Sequence, residues 1–266
     1  MRVYCINLDR RPDRLEYIQG ELSRFAIPFD RVAAIDAKDP AVAVAAEKIP
    51  PMARGPRMSA GAYGCFQSHR EVWRRLIASG DHAGIVIEDD LILAPGFASL
   101  LESDWFPNSA DIIKLETFGI RIHVAKSGEV AAPDGRKLSV LRSFHPGTGC
   151  YAISARAAKR LLAETEVFNE PIDRFMFDPI SPAFKSYRIL QVFPAPTVQG
   201  DRAAKAGVTA SGAEGWAETS IVERFQDSAN SLTTRREGKA SRLQRRLSEE
   251  LRGLLAGSRY VTVPFG

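Results

Sequence analysis

The sequence predicts a layered α/β domain, and three observations predict it. Short apolar runs alternate with helix-period patterns along roughly the first 200 residues. One of those runs, residues 84–87, is apolar throughout, as a strand covered on both faces must be. The chain has 266 residues, 45% of them hydrophobic, which is enough to bury a core beneath such layers.

Taken in order, residues 2–8 read as a strand that ends in polar residues. Residues 11–25 follow as a helix: Pro12 suits its first turn, and Leu15, Ile18, Leu22 and Phe25 form one apolar stripe. Residues 29–35 give a second strand, and 37–58, rich in Ala and Pro, a loop with at most a short helix. Ser59 caps a long helix to Ser79 that Gly80 closes. Its buried face carries Cys65, Phe66, His69, Val72, Trp73, Leu76 and Ile77. After the 84–87 strand, residues 111–115, 139–144 and 150–154 add three more. Ser154 caps a helix to residue 162, and Asn169 with Pro171 opens another through 177. Residues 188–193 are the last clear strand. Residues 200–215 are small and polar, a linker, and the tail beyond them reads as helical.

Composition excludes several classes. Hydrophobic and charged contents of 45% and 26% are those of an ordinary globular protein. Cys5, Cys65 and Cys150 form an odd set without a CxxC pair and sit among apolar neighbours, so they read as reduced core residues. No signal peptide or membrane span is visible, which predicts a cytoplasmic location. The net charge of +4 belongs to the tail: residues 235–254 hold seven Lys or Arg against three Glu. A neutral body without a basic–aromatic surface motif argues against nucleic-acid binding.

The strongest local feature is Ile85-Val86-Ile87-Glu88-Asp89-Asp90. Three adjacent acids leaving a buried strand repel one another, and a hard divalent cation removes that penalty. Alternate residues of a strand share a face, so Glu88 and Asp90 could hold one ion, Mn²⁺ or Mg²⁺, while Asp89 points elsewhere. Ligands of open α/β sheets bind at the carboxyl ends of strands, where this run lies. A second strand-to-helix junction carries Asn7, Arg10, Arg11 and Arg14, which could converge on a nucleotide: an amide for the base, guanidinium forks for phosphate. Gly147-Thr148-Gly149 formally opens a dinucleotide fingerprint, but a strand rather than a helix follows it, so those glycines instead let backbone approach a sugar or acceptor. His69 reads as a satisfied core histidine, with Ser68 beside it serving either role. Lys114, inside an apolar strand, needs a partner: Glu116, Asp111 or a phosphate. Asp173, in the first turn of a helix, fits dipole complementation or a general base.

The motifs occur in a definite order: Ile6-Asn7-Leu8-Asp9-Arg10-Arg11-x-x-Arg14, Gly64-Cys65-Phe66-x-Ser68-His69, Ile87-Glu88-Asp89-Asp90, Ile113-Lys114-Leu115, Gly147-Thr148-Gly149-Cys150-Tyr151-x-Ile153-Ser154 and Pro171-Ile172-Asp173. Together they make residues 1–200 resemble glycosyltransferase family 25, the bacterial lipopolysaccharide and lipooligosaccharide transferases. The resemblance implies a GT-A-like (Rossmann-like) central mixed sheet flanked by helices; residues 201–266, which it does not cover, read from their own pattern as a linker and a basic amphipathic helix. It also implies an inverting transfer from a UDP-sugar, most often UDP-galactose, to a saccharide or lipid-linked saccharide hydroxyl. On that reading Glu88 and Asp90 hold Mn²⁺ (or Mg²⁺) as a DxD-like motif, and Asp173 is the base. Asn7, Leu8, Arg10, Arg14, Ser68, Glu88, Asp89, Lys114, Thr148 and Gly149 line the donor site. Gln67 departs from the family pattern, where an apolar residue is usual. Competing readings are a nucleotidyltransferase, which would release pyrophosphate, and a non-catalytic sugar-nucleotide-binding protein. In the tail, Leu243, Leu247, Leu251 and Leu254 form a stripe beside Arg242, Arg245 and Arg246. That pattern suits an anionic membrane surface or a packed helix equally.

Overall fold

In the computed structural model, which describes residues 1–51, 57–102, 105–209 and 257–266, the chain opens with β1 (Arg2–Asn7), buried from Val3 onward. Its successor α1 (Pro12–Ser23) starts on Pro12 and buries Ile18 and Leu22 against the sheet. Then come β2 (Asp30–Ala33), α2 (Pro40–Lys48), α3 (Ala60–Ser79), β3 (Ala83–Glu88) and β4 (Leu91–Leu93). Four strands follow, β5 (Ile112–Lys114), β6 (Glu116–Thr117), β7 (Arg121–Ala125) and β8 (Val130–Ala131), with β9 (Lys137–Val140) and β10 (Cys150–Ser154) after them. The remaining elements are α4 (Ala155–Glu164), α5 (Ile172–Phe177), α6 (Pro182–Ser186), β11 (Ile189–Phe193), β12 (Thr197–Gln199) and β13 (Ser258–Thr262).

Eight strands form one mixed sheet in the order β2-β1-β3-β10-β5-β11-β9-β8. β1 runs parallel to both β2 and β3, while β10 lies antiparallel between β3 and β5. The fold is therefore a mixed α/β sheet flanked by helices. β3 sits centrally, which is why residues 84–87 must be apolar: Ile85, Val86 and Ile87 are each 0% exposed. Smaller sheets, β4-β12-β6 and β13-β7, stand beside the main one.

Helix α3 shows how the sequence sets an element that carries site residues. Ser59 Oγ accepts from Ala62 N, and Gly80 ends the helix at φ +77°. Between them Phe66, Val72, Trp73 and Leu76 are fully buried, each contributing about 1.5–3 kcal/mol of burial. Ser154 caps α4 in the same way, accepting from Ala157 N.

Elsewhere the structure differs from expectation. Asn169 does not cap α5: the helix begins at Ile172, and the Pro171 carbonyl takes the Phe175 N–H. The expected 139–144 strand is split. β9 pairs with β11 as far as Val140, after which Arg142 N turns to His123 O on β7. The linker expected from residue 200 opens instead as a 3-10 helix over Gly200–Ala206, with Arg202 and Ala203 buried. Nor are the final residues helical, since Ser258–Thr262 is strand β13, antiparallel to β7. The leucine stripe at 243–254 and the basic residues around it lie outside the described residues. Among the described residues no helix is long and apolar enough to cross a membrane.

Candidate active site

Parallel pairing of β1 with β3 puts Ile6 opposite Glu88, so the two strand ends that carry the polar motifs lie side by side. Asn7 is buried there. Its amide donates to Asp89 Oδ2 at 2.7 Å and to Arg11 O at 3.1 Å, while its Oδ1 accepts from Arg31 Nε at 2.9 Å. Arg14 Nη1 donates to Asp89 Oδ1 at 3.1 Å and lies 3.7 Å from Asp90 Oδ2. Asn7 and Arg14, expected on the donor, are thus turned inward to hold the acidic run, and Asp89 is their anchor. Burial pushes the Asp89 carboxyl up despite Arg14 and Asn7. Leu8 is half-buried, and the exposed Arg10 pairs with Asp36 at 2.7 Å.

Strand β3 ends at Glu88, so Asp89 and Asp90 lie in the turn after it, where strand alternation no longer sets their directions. Glu88 Oε1 accepts from Thr148 Oγ1 at 2.9 Å and lies 3.4 Å from His69 Nε2, and Oε2 accepts from Gln199 Nε2 at 3.4 Å. Burial raises the Glu88 carboxyl, but His69, Thr148 and Arg14 outweigh it and hold the group below the ordinary range. Asp90 goes the other way. Burial first, then Glu88, push its carboxyl well up; Arg14 opposes them, and Asp89 and Asp201 add to the rise. Its Oδ1 is buried without a hydrogen-bond partner.

Gly147-Thr148-Gly149 forms the facing wall, and its glycines are required by what stands behind them. Gly147 has φ +82°, and a Cβ there would lie 2.4 Å from the Phe118 ring; a Cβ on Gly149 would lie 2.7 Å from Glu116 Oε2. The segment runs into strand β10, not a helix, so the dinucleotide reading fails as expected. Lys114 is 0% exposed and supports this wall from below: Nζ donates to Glu116 Oε1 at 2.8 Å and to Gly147 O, 4.2 Å from the Phe177 ring. It therefore holds the loop in place. Asp173 completes the cleft, Oδ2 accepting from Gly147 N at 3.3 Å and Oδ1 from Arg174 N at 2.8 Å. Burial raises its carboxyl, opposed by those two N–H groups and by Lys114.

Ser68 is not part of the cleft. Its Oγ accepts from Ile35 N at 2.8 Å and donates to Gly64 O at 2.7 Å, joining α3 to the chain after β2. Several residues at the site carry no sequence signal or a weak one. Glu116, which sequence reasoning offered only as a partner of Lys114, is fully buried, and burial pushes it up to about 7 although Lys114 opposes this. Gln199 and Asp201 reach the acidic run because β12 pairs with β4 in antiparallel register and Gly200 N donates to Asp90 O at 2.8 Å. No spacing in the sequence announces either. His69, expected to be a satisfied core residue, has only Nδ1 bonded, to Tyr151 Oη at 2.9 Å.

The sequence profile of the family described as Glycosyltransferase family 25 (LPS biosynthesis protein) matches residues 1–176, a span that takes in every site residue read from sequence. The lacto-N-neotetraose biosynthesis glycosyltransferase LgtB of Neisseria meningitidis serogroup B (strain ATCC BAA-335 / MC58) is 30% identical over 187 residues, 66% of this chain and 68% of its own. The lipooligosaccharide biosynthesis protein lic2B of Haemophilus influenzae is 28% identical over 166 residues, 60% of this chain and 62% of that one. The crystal structure of the galactosyltransferase LgtC with donor and acceptor sugar analogs aligns over 91% of this chain and 99% of its own. Its TM-score of 0.36 and identity of 14% are too low to speak to chemistry.

Proposed function

Because this chain belongs to glycosyltransferase family 25, we propose that its cleft transfers a sugar, galactose by preference, from a UDP-sugar to a hydroxyl of a lipopolysaccharide or oligosaccharide acceptor, with inversion. The observation that carries the reading is Asp90. Its carboxylate is driven toward protonation by burial first and then by Glu88, Asp89 and Asp201, and one oxygen is buried without a partner. A fold gains nothing from that arrangement, whereas a divalent cation relieves all of it at once.

Glu88 and Asp90 are the residues that would hold Mn²⁺ or Mg²⁺, and the oxygen donor set fits a hard ion. When bound, such an ion supplies a Lewis acid for the charge that grows on a departing diphosphate. The rest falls to the chain. Asp89, fixed by Asn7 and Arg14, holds the acidic run in place. Thr148 and Gly149 face the sugar, and Leu8 and Arg10 lie at the rim where the nucleotide would enter. Asp173 takes the proton from the attacking hydroxyl: both its oxygens are oriented by backbone N–H groups, and burial makes it a better base than a solvated aspartate. Attack from the face opposite the leaving group inverts the anomeric centre. The charge of residues 235–254 is proposed to hold the enzyme at an anionic membrane surface, where a lipid-linked acceptor would be met.

A screen of UDP-sugars for Mn²⁺-dependent thermal stabilisation and slow donor hydrolysis tests the reading, since a ligand raises stability only through binding the folded state. UDP-galactose is expected to stabilise most and to release UDP. Absence of metal-dependent stabilisation by any UDP-sugar would overturn it, and pyrophosphate release from a nucleoside triphosphate would point to a nucleotidyltransferase.

A further inference from the structure

Behind the acidic rim, two helix residues meet one strand-end carboxylate. Cys65 and His69 are four residues apart on α3 and so share a face. Glu88 closes the group from the end of β3, and one ligand atom from each of the three lies within 4.8 Å of the others. His69 is 0% exposed, its Nε2 has no hydrogen-bond partner, and that atom sits 3.4 Å from Glu88 Oε1. The opposite nitrogen is held by Tyr151 Oη at 2.9 Å, and Trp73 Nε1 donates to the same hydroxyl at 3.0 Å. An outer partner of this kind orients the ring of a metal-bound histidine and fixes its tautomer.

We propose that Cys65, His69 and Glu88 form a zinc site, separate in chemistry from the hard-cation pair and sharing one carboxylate with it. The donor set selects the ion: sulfur with imidazole favours Zn²⁺ over Mn²⁺ or Mg²⁺, and three protein ligands leave a fourth position for water. Bond lengths of about 2.3 Å to sulfur and 2.0 Å to nitrogen require the ligand atoms to draw together to roughly 3.3–3.8 Å. Glu88, whose side chain is 23% exposed, has room to make that adjustment and opens the site to the cleft. As sulfur takes the ion, the thiol proton passes to solvent. Zinc on Glu88 withdraws that carboxylate from the donor-linked cation, so zinc inhibits transfer; this last consequence alone rests on the function proposed above.

Cobalt(II) is the probe, added to the metal-free full-length protein. The expected result is one equivalent bound, with a thiolate-to-cobalt charge-transfer band in the near ultraviolet and tetrahedral visible bands, both erased by zinc. Cys65→Ser should remove the charge-transfer band, His69→Gln should weaken binding at least tenfold, and Asp90→Asn should leave both bands in place. A wild-type spectrum without the sulfur band overturns the proposal even if a variant fails to fold, as does a band that survives Cys65→Ser. Failure of the hard-cation reading looks different: Mn²⁺-dependent UDP binding would persist in Asp90→Asn while the cobalt spectra stayed as expected.

Discussion

At Asp89 the carboxylate accepts from Asn7 Nδ2 at 2.7 Å and Arg14 Nη1 at 3.1 Å; one residue on, Asp90 Oδ1 accepts from nothing. The two positions should therefore respond oppositely to the same substitution. Asp89→Asn removes the carboxylate that accepts from Arg14 Nη1 at 3.1 Å, a buried ion pair. The cost is about 3 kcal/mol, the low end for breaking a buried pair, because Asp90 Oδ2 lies 3.7 Å from the same nitrogen. Asp90→Asn removes a carboxylate that burial and its acidic neighbours make costly to ionise, so the metal-free protein gains stability in urea while calorimetry shows Mn²⁺-dependent UDP binding lost. Equal stability losses at both positions would remove the case for a cation site. At Asp173 the base must be ionised, and burial raises its carboxyl above the ordinary aspartate range. As pH falls through that raised value, kcat falls with it. The linked stability has the opposite sense: it is fully present below the unfolded pKa and lost as pH rises through the folded one. Asp173→Asn should thus lower kcat by roughly 10²–10⁴-fold, abolish the acid limb in the residual rate, and keep Tm at neutral pH at or above that of the parent. A matching fall in donor affinity would show that Asp173 positions the donor instead.

Among the elements, α3 was the most legible in sequence, because its caps are local chemistry and its stripe is a period. Ser59, Gly80 and the Phe66–Leu76 face needed no knowledge of distant chain. β6 and β7 were illegible for the opposite reason. β6 is two residues long and finds its partner in β12, and β7 finds its partner in β13, far along the chain. The site divides along the same line. Glu88, Asp90 and Asp173 could be found from motif and element position, whereas Gln199 and Asp201 arrive only through the register of β12 against β4. At Ser68, which the resemblance puts on the donor, the hydroxyl bonds Ile35 N and Gly64 O. A Cβ on Gly64 would come 2.5 Å from Ile35 O, so this face of α3 lies directly on the chain that follows β2, and Ser68 ties the two together. Ser68→Ala should cost about 1–3 kcal/mol by stranding the Ile35 N–H. Urea unfolding should register that loss while UDP affinity stays unchanged. Lost affinity with stability intact would return Ser68 to the donor site.

For the molecule as a whole, the informative feature is where the chain ends. Among the described residues, 257–266 pack on the body: β13 lies on β7, Val263 O accepts from Thr117 Oγ1 at 2.7 Å, and Gly266 O from Arg136 Nη2 at 2.8 Å. Truncation near Thr233 would therefore remove the basic segment and β13 together, along with the acceptors of Thr117 Oγ1 and Arg136 Nη2. Such a chain should be unstable whatever the segment binds, so membrane attachment has to be tested with the ending intact. Replacing the seven Lys and Arg of residues 235–254 by Gln in place removes charge without touching β13. Each basic residue near an anionic surface contributes about 1 kcal/mol, so this variant should lose flotation with anionic liposomes while keeping Tm and transfer to a water-soluble acceptor. The parent should float on anionic vesicles and much less on neutral ones, with the difference fading at high salt. A parent that fails to float, or a charge-free variant that still does, would assign the segment to a protein surface instead.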